Sequence, residues 1–476
     1  MTDPAGGQRG GGALTRSVGL WSAIAVNVAN MIGTGVFLKA RVMTCNVGSP
    51  ALVLLAWAAA GLLSLAGAFC YSELAAMMPE AGGDYVYLRT AYGRLTGFLY
   101  GWMAFAVARA ASQAALAVGF AIFMNVALGG VLDRWHVDGS MLGMSVHVGG
   151  LTVVALAVIW SVALVNCLSV EVGGLTALAA TGVKVALVFA VGAAAFLFAP
   201  PGGAPPGSGF EGTCVGVASS ARGGIAGFGA AMLGALWAYD GWNNVAPLSG
   251  EIRDPQRNLP RAFVGGMLVV AALYLFANAG YFHALGAVRI ASVPLNSSVA
   301  TEVLERFLGP VAVSLTAVAL MVSSFGSLHA SVLANSRIPF AMARDGLFFR
   351  ALGRLSARAN VPARAILAQA AWASVLAISG SYDALTDSVI FVAWAFYGLS
   401  TASLFVFRAR NPDAPRPYRT PGFPWVPIVF LLVTAALLVN TFVAAPRQAF
   451  EGVAVLLAGL PLYAYWSRRS RSARGA

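Results

Sequence analysis

Asn30-Met31-Ile32-Gly33-Thr34-Gly35-Val36-Phe37 lies within a long apolar run, and its reading decides the fold. Two glycines and a threonine stand where an unbroken helix would need helix formers. A helix in hydrocarbon satisfies its own backbone, whereas a broken one exposes amides and carbonyls, which is tolerable only around a cavity. One such break has a plainer explanation, because small residues also let membrane helices pack closely. A second stretch, Leu236-Trp237-Ala238-Tyr239-Asp240-Gly241-Trp242-Asn243-Asn244, puts Asp-Gly at the corresponding depth of another run. Interruptions at matching positions of two five-helix halves point to an inverted repeat with a binding site between them.

The composition demands a membrane. Of 476 residues, 59% are hydrophobic and 10% are charged, where a water-soluble chain carries charge on about a quarter of its residues. Runs of roughly 20 apolar residues, enough to cross ~30 Å of hydrocarbon, occur near 18–43, 50–78, 95–128, 148–168, 172–198, 226–248, 259–286, 309–340, 363–380, 384–407, 425–444 and 449–467. They predict an all-α integral membrane protein of about twelve transmembrane helices. Residues 1–16 read as a polar, disordered tail without the apolar core of a signal peptide, retained in the mature chain.

A net charge of +12 could suggest nucleic acid, but its distribution argues against that partner. With the N-terminus inside, the inner loops and tails hold most of the basic residues. Among them are Arg253, Arg257 and Arg261, the run Arg344, Arg350, Arg354, Arg358 and Arg364, and Arg468, Arg469, Arg471 and Arg474 in the basic tail 468–476. Such a bias orients both termini to the cytoplasm, as expected for a multi-pass protein of the cytoplasmic membrane.

Metal and cofactor chemistry find no footing in the motifs. Cys45, Cys70, Cys167 and Cys214 show no metal spacing. Cys70 and Cys167 read as packing residues, while Cys45 and Cys214 both map to the outer side and leave a disulfide open. His136, His147, His283 and His329 form no HExxH-like cluster, no phosphate-binding GxxxxGK[ST] loop occurs, and no Ser/His/Asp spacing suggests hydrolysis. No metal, no cofactor and no enzyme activity are expected.

The directions of the broken helices predict a ligand. The first run travels from inside to outside, so its outer half begins near Gly35 with free N–H groups at mid-depth, favouring an anion. The sixth run travels the other way, so its outer half ends near Trp237–Asp240 with unpaired carbonyls, favouring a cation. Opposite poles facing one small cavity suit a zwitterion, with a carboxylate at Thr34–Gly35 in the Met31–Gly35 loop (Met31, Ile32, Gly33, Thr34, Gly35).

Five motifs then resemble one family. MIGTGVF (31–37) looks like the carboxylate-binding loop of the amino acid–polyamine–organocation transporters, and PEAGGDYVYL (79–88) like their loop between the second and third helices. ARAASQAAL (108–116) is similar to the third helix of the L-type amino acid transporter branch, which often reads RPxSQA. LWAYDGWNN followed by GEIRDPQRNLPRA (250–262) is the most specific match, and SRIPFAMARDGLFFRALGRL (336–355) the fifth. The resemblance covers about residues 17–467.

It implies a ten-helix 5+5 inverted repeat over 17–410, two further helices over 411–467, and transport by alternating access without ATP. It makes Thr34 and Gly35 carboxylate ligands, places the substrate ammonium on the carbonyls of Met31, Trp237 and Asp240 in the stretch Trp237, Ala238, Tyr239 and Asp240, and makes Trp237 an aromatic lid. Trp237 can also be read as a packing or lipid-facing aromatic, but its place in the last turn before the break favours the lid. The implied activity is sodium-independent exchange of small neutral L-amino acids. A proton-coupled or cationic amino acid or polyamine permease is the alternative, and a membrane sensor that binds without transport is disfavoured by the short tails.

Two departures from the family matter. Animal L-type proteins join an ancillary glycoprotein through a cysteine in the loop that corresponds to 129–147; no cysteine stands there, so no disulfide-linked subunit is expected. Asp240 replaces a small residue, and an acid at mid-depth, at ~2.5–3.5 kcal/mol to insert, is functional by default. It could neutralise a basic substrate, carry a proton or cap the broken helix.

Lys184 stands mid-span with no charged sequence neighbour, and a buried ammonium demands oxygen partners. In sodium-independent relatives a matching lysine occupies the place of Na⁺. Its implied partners are the loop carbonyls near Gly33 and the hydroxyls of Ser323 and Ser324. Arg109 has a family counterpart and reads as structural, and Glu73 is expected to pair with a cytoplasmic arginine.

Overall fold

The computed structural model describes residues 14–141, 144–199, 214, 217–294, 297–379, 382–444 and 446–472. The expected tails 1–16 and 468–476 lie outside these residues over 1–13 and 473–476.

The first run is broken where its glycines stand. α1 (Leu20–Met31) and α2 (Gly35–Val47) are bent by 41° across Ile32–Thr34. α2 ends at Gly48, whose φ of 68° is one that a residue without a Cβ adopts freely. α3 (Pro50–Met77) starts on Pro50, whose missing N–H costs nothing in a first turn.

A short helix on the basic side, α4 (Asp84–Tyr92), leads to α5 (Arg94–Met103), one π turn over Ala104–Ala108, and α6 (Arg109–Ala127). An antiparallel hairpin of β1 (His136–Met141) and β2 (Met144–Gly149) leads to α7 (Gly150–Leu168). α8 (Val170–Phe198) is capped by the Ser169 hydroxyl, which accepts from Val172 N at 3.0 Å.

α9 (Gly224–Tyr239) is the half of the sixth run that precedes its break. The run is expected to continue to residue 248, but beyond Tyr239 the chain makes a turn and a 3₁₀ segment over Ala246–Glu251 instead. α10 (Pro255–Ala291), the amphipathic α11 (Val299–Leu308), α12 (Val311–Asn335) and α13 (Arg337–Arg344) follow. The eighth run divides at Ser336 because Pro339 has no N–H for the carbonyl of Asn335. α14 (Ala363–Ser379), α15 (Tyr382–Arg410), α16 (Trp425–Ala444) and α17 (Pro446–Ser472) complete the chain.

Eight helical spans, with α5 to α6 and α12 to α13 counted as one each, are long and apolar enough to cross a bilayer among the described residues, nine if α1 and α2 count as one bent span, and three shorter helices are also apolar. Their outward faces carry Leu62, Leu164, Leu175, Leu197 and Leu432, all exposed, where lipid would cover them. Inside, small residues let backbones touch: a Cβ at Gly280 of α10 would sit 2.9 Å from the carbonyl of Gly192 in α8.

Polar clusters tie the basic face. Val18 bridges the backbone of Glu251 and Arg253. Arg337 and Glu251, both fully buried, form a bidentate pair at 3.0 and 2.8 Å. Glu73 meets Arg408 at 3.0 and 2.7 Å, the arginine partner expected for it. Asp84 accepts from Tyr71, from Ser400 at 2.8 Å, and from Tyr100 and Asn243 at 3.3 and 3.4 Å, so α4 is held to four other segments. Removing one partner of a buried pair leaves a desolvated charge. Glu251→Ala should therefore lower stability by about 3–5 kcal/mol in detergent unfolding, and the apolar double variant Glu251→Leu/Arg337→Met by less.

On the opposite face Cys45 and Cys214 form a disulfide with Cα atoms 5.6 Å apart. It joins the end of α2 to the segment before α9. Gly223 N also donates to Asn46 O at 2.7 Å, and Asn46 Nδ2 to Ala221 O at 2.7 Å.

Candidate functional site

The two breaks meet. Gly35 at the start of α2 packs so closely on the end of α9 that a Cβ there would lie 2.6 Å from Ala238 Cβ and 2.9 Å from Ala238 Cα. Gly241, at φ 101°, brings its backbone against Asn30, where a Cβ would sit 2.6 Å from the carbonyl oxygen. Asn244 Nδ2 donates to Asn30 Oδ1 at 3.3 Å. The Tyr274 hydroxyl on α10 shares its hydrogen between Met31 O at 2.9 Å and Ala238 O at 3.1 Å, stapling one break to the other.

Beside the breaks lies a cavity of about 500 Å³, within the range of small-molecule sites. Met31, Gly33, Thr34, Gly35, Trp237, Ala238 and Asp240 line it. Ile32 and Tyr239 do not: both are fully buried, with the Ile32 carbonyl accepting from Ser323 and Ser327 of α12 and Tyr239 edge-on to Trp57.

Thr34 precedes α2, and its carbonyl accepts from Phe37 N and Leu38 N at 3.1 and 3.2 Å. The amides before Phe37 therefore open the helix with no carbonyl behind them. The cation pole differs in detail. The Met31 carbonyl, an expected ammonium ligand, already accepts from Tyr274 Oη and from Gly33 N at 2.8 Å. The Trp237 carbonyl accepts from Asp240 N at 3.2 Å. Asp240 ends α9 through its backbone, and its side chain does not cap; Oδ1 accepts from Tyr397 Oη at 3.1 Å.

Arg109 and Asp240 are the charged residues of the cavity wall among the described residues. The π turn before Arg109 widens the helix by one residue and turns its side chain to the cavity, where it lies in the field of Tyr397, Tyr100, Asp240 and Asp84. Arg109, expected to be structural, stands on the cavity wall, and Tyr397 and Tyr274 belong to no motif in the sequence. A tyrosine in the middle of an apolar run, as in Ala271-Ala272-Leu273-Tyr274, is the available signal.

Lys184 reaches the first break from α8. Its Nζ donates to Ala29 O at 2.9 Å and to Ser327 Oγ at 2.7 Å. Ser327 donates in turn toward Ala29 O at 2.9 Å and Ile32 O at 3.2 Å. The expected partners Ser323 and Ser324 are not the ones the lysine meets. Ser323 donates to Ile32 O at 3.1 Å, and Ser324 Oγ is buried on the cavity wall with no protein partner among the described residues. Ser323 and Ser327 both donate to Ile32 O at the first break, whereas Ser324 has no such contact among the described residues. Gly326 leaves room for the lysine stem, since a Cβ there would lie 3.1 Å from Lys184 Cδ.

The comparisons with known proteins agree with this architecture. The family model described as amino acid permease matches residues 18–462, so the chain belongs to the amino acid permease family. It is 32% identical to the serine/threonine exchanger of Bacillus subtilis over 96% of this chain and 98% of that one. It is 30% identical to human large neutral amino acids transporter small subunit 2, covering 98% of this chain and 84% of that one. The mouse b(0,+)-type amino acid transporter 1 shares 28% over 95% and 88%. These relatives set the chain on the L-type, bacterial side of the family, and they are transporters, not enzymes.

Proposed function

We propose that this protein exchanges small neutral L-amino acids across the cytoplasmic membrane by alternating access and without sodium. One observation carries it. The amide end of α2 at Thr34–Gly35 and the carbonyl end of α9 at Asp240 open into one cavity of about 500 Å³, so a zwitterion finds an anion pole and a cation pole within one small volume. Neutrality of the side chain follows from the wall, where Arg109 offsets Asp240 and Tyr397 holds the carboxylate. The printed activities of the relatives, serine/threonine exchange and large neutral amino acid transport, lie in the same class.

In this reading the nine long spans and three shorter apolar helices make twelve crossings, with ten in a 5+5 inverted repeat and α16 and α17 outside it. Both termini lie in the cytoplasm with the arginine-rich loops. The hairpin of β1 and β2 fills the loop in which animal relatives carry their linking cysteine, and the chain works without that subunit.

The test is uptake into liposomes preloaded with single compounds, screened across the standard amino acids, putrescine and agmatine. Trans-stimulated uptake of neutral amino acids supports the proposal. Preference for arginine or putrescine, or uptake driven by a pH gradient, returns Asp240 to the role of substrate or proton site and supports the cationic or proton-coupled alternative. Trp237, 38% exposed at the mouth of the cavity, is the lid in this scheme. Trp237→Ala should reduce transport at least tenfold in the same assay while the melting temperature stays within a few degrees, because an exposed side chain contributes little to stability.

A further inference from the structure

We propose that the Ser324 hydroxyl is a side-chain subsite of the cavity, selecting amino acids that carry a hydroxyl on a short side chain; this rests on the amino acid reading above and names the substrate class within it. Ser324 lies on α12, lines the cavity and is only 1% exposed. Its Oγ has no hydrogen-bond partner among the described residues. Other hydroxyls of the same helix are engaged. Thr316 donates to the carbonyl one turn back, Ala312 O, at 2.8 Å. Ser327 meets Lys184 and Ala29 O, and Ser331 Oγ accepts from Gln113 Nε2 and Asn335 Nδ2, both at 3.2 Å. Of the three α12 serines on the wall, Ser324 is the one the fold leaves open. A buried hydroxyl in that condition is destabilising until a ligand supplies its partner.

A glycine keeps the space beside it clear. Gly119 of α6 lines the same cavity, and the atom nearest to where its Cβ would be is Ser324 Oγ at 3.8 Å, followed by Phe123 Cε2 at 4.0 Å. The other α6 residues on this part of the wall, Ala115, Val118 and Ile122, are apolar. They suit the carbon atoms of a side chain and leave the hydroxyl of Ser324 as its polar contact. The depth also fits. Ser323, the preceding residue, donates to the carbonyls of Ile32 and Gly33 at 3.1 and 3.5 Å. Those residues directly precede the Thr34–Gly35 amides, so an amino acid whose carboxylate meets the amides needs only a short side chain to come to Ser324. A hydroxyl on its first side-chain carbon completes the contact. A methyl in the same place leaves Ser324 without a partner, which is how a site built for a hydroxyl rejects an isostere that lacks one.

The experiment is competition in proteoliposomes: uptake of a labelled neutral amino acid, inhibited by two pairs of compounds that differ by a hydroxyl in place of a methyl, threonine against valine and serine against 2-aminobutyrate. In the wild type the hydroxyl member of each pair should inhibit at about tenfold lower concentration, the size of one hydrogen bond to a buried partner. In S324A, which removes one oxygen atom, the two members should come within about twofold of each other, chiefly because the hydroxyl member weakens. If S324A transports too slowly to measure, the same pairs are compared by the rise in melting temperature that each compound gives the purified variant in detergent, since a ligand of the folded state stabilises it. Pairs that act equally on the wild type, or a hydroxyl preference that survives in S324A, overturn the subsite and leave the amino acid reading standing. A wild type that moves no amino acid at all overturns that reading, and the subsite with it.

Discussion

Gly35→Leu should abolish amino acid uptake in proteoliposomes, and Gly35→Ala should already cost most of it. A first Cβ at this position would lie 2.6 Å from Ala238 Cβ and 2.9 Å from the Ala238 backbone. The outer halves of the two broken helices would have to separate, and the Thr34–Gly35 amides would leave the place where a carboxylate meets them. A displacement of about 1 Å in such a site is enough to cost a factor of about a hundred. The position is one residue inside α2, so the variant should still insert and elute as a single peak. An independent arm modifies the ligand instead: amino acid esters and decarboxylated amines should fail to compete. If they compete as well as the parent amino acids, the carboxylate pole is not a recognition site and a polyamine substrate takes its place.

Lys184→Ala should slow or abolish transport with a moderate change in substrate affinity. The Lys184 ammonium joins α8 to the end of α1 through Ala29 O and to α12 through Ser327. These three segments meet at the first break, so the contacts must rearrange whenever the inner side opens. Removing the ammonium takes one partner from Ser327, which keeps Ala29 O and Ile32 O, and one from Ala29 O, at about 1–3 kcal/mol for a buried group left without its partner. In the proposed scheme uptake in the wild type should be equal in sodium and choline buffers, with the Lys184 ammonium in contact with a carbonyl and a hydroxyl in the place of a sodium ion. A fixed charge also predicts uptake that is flat from pH 6 to 8, whereas a proton carrier predicts a slope that vanishes in the alanine variant. Uptake that requires sodium, or an alanine variant that transports normally, would remove Lys184 from the mechanism.

The membrane class, the two breaks and their meeting were legible in the sequence because each rests on a local rule. Apolar runs long enough to cross a bilayer, and glycines within two of them, are visible without any tertiary contact. The lysine that must find oxygens was visible too, since its burial follows from its place in the run. Elements shorter or more polar than a crossing escaped: α4, α11 and the hairpin of β1 and β2 are held by packing, caps and strand pairing, and no scan for apolar length registers them.

What tertiary structure alone decided is which side chain faces which. Four-residue spacing nominates stripes, but only the approach of α1 to α12 selects Ser327 over Ser324 as the lysine's partner. The Met31 carbonyl looked free at the sequence level and is taken by Tyr274, a residue more than two hundred positions away. One π turn directs Arg109 to the cavity wall, where Asp240 faces Tyr397 in place of its own helix end. The physical reason is common to all three. Backbone breaks are dictated by conformational freedom and by hydrocarbon, which act locally, whereas partners are dictated by distances between helices, which no single segment specifies.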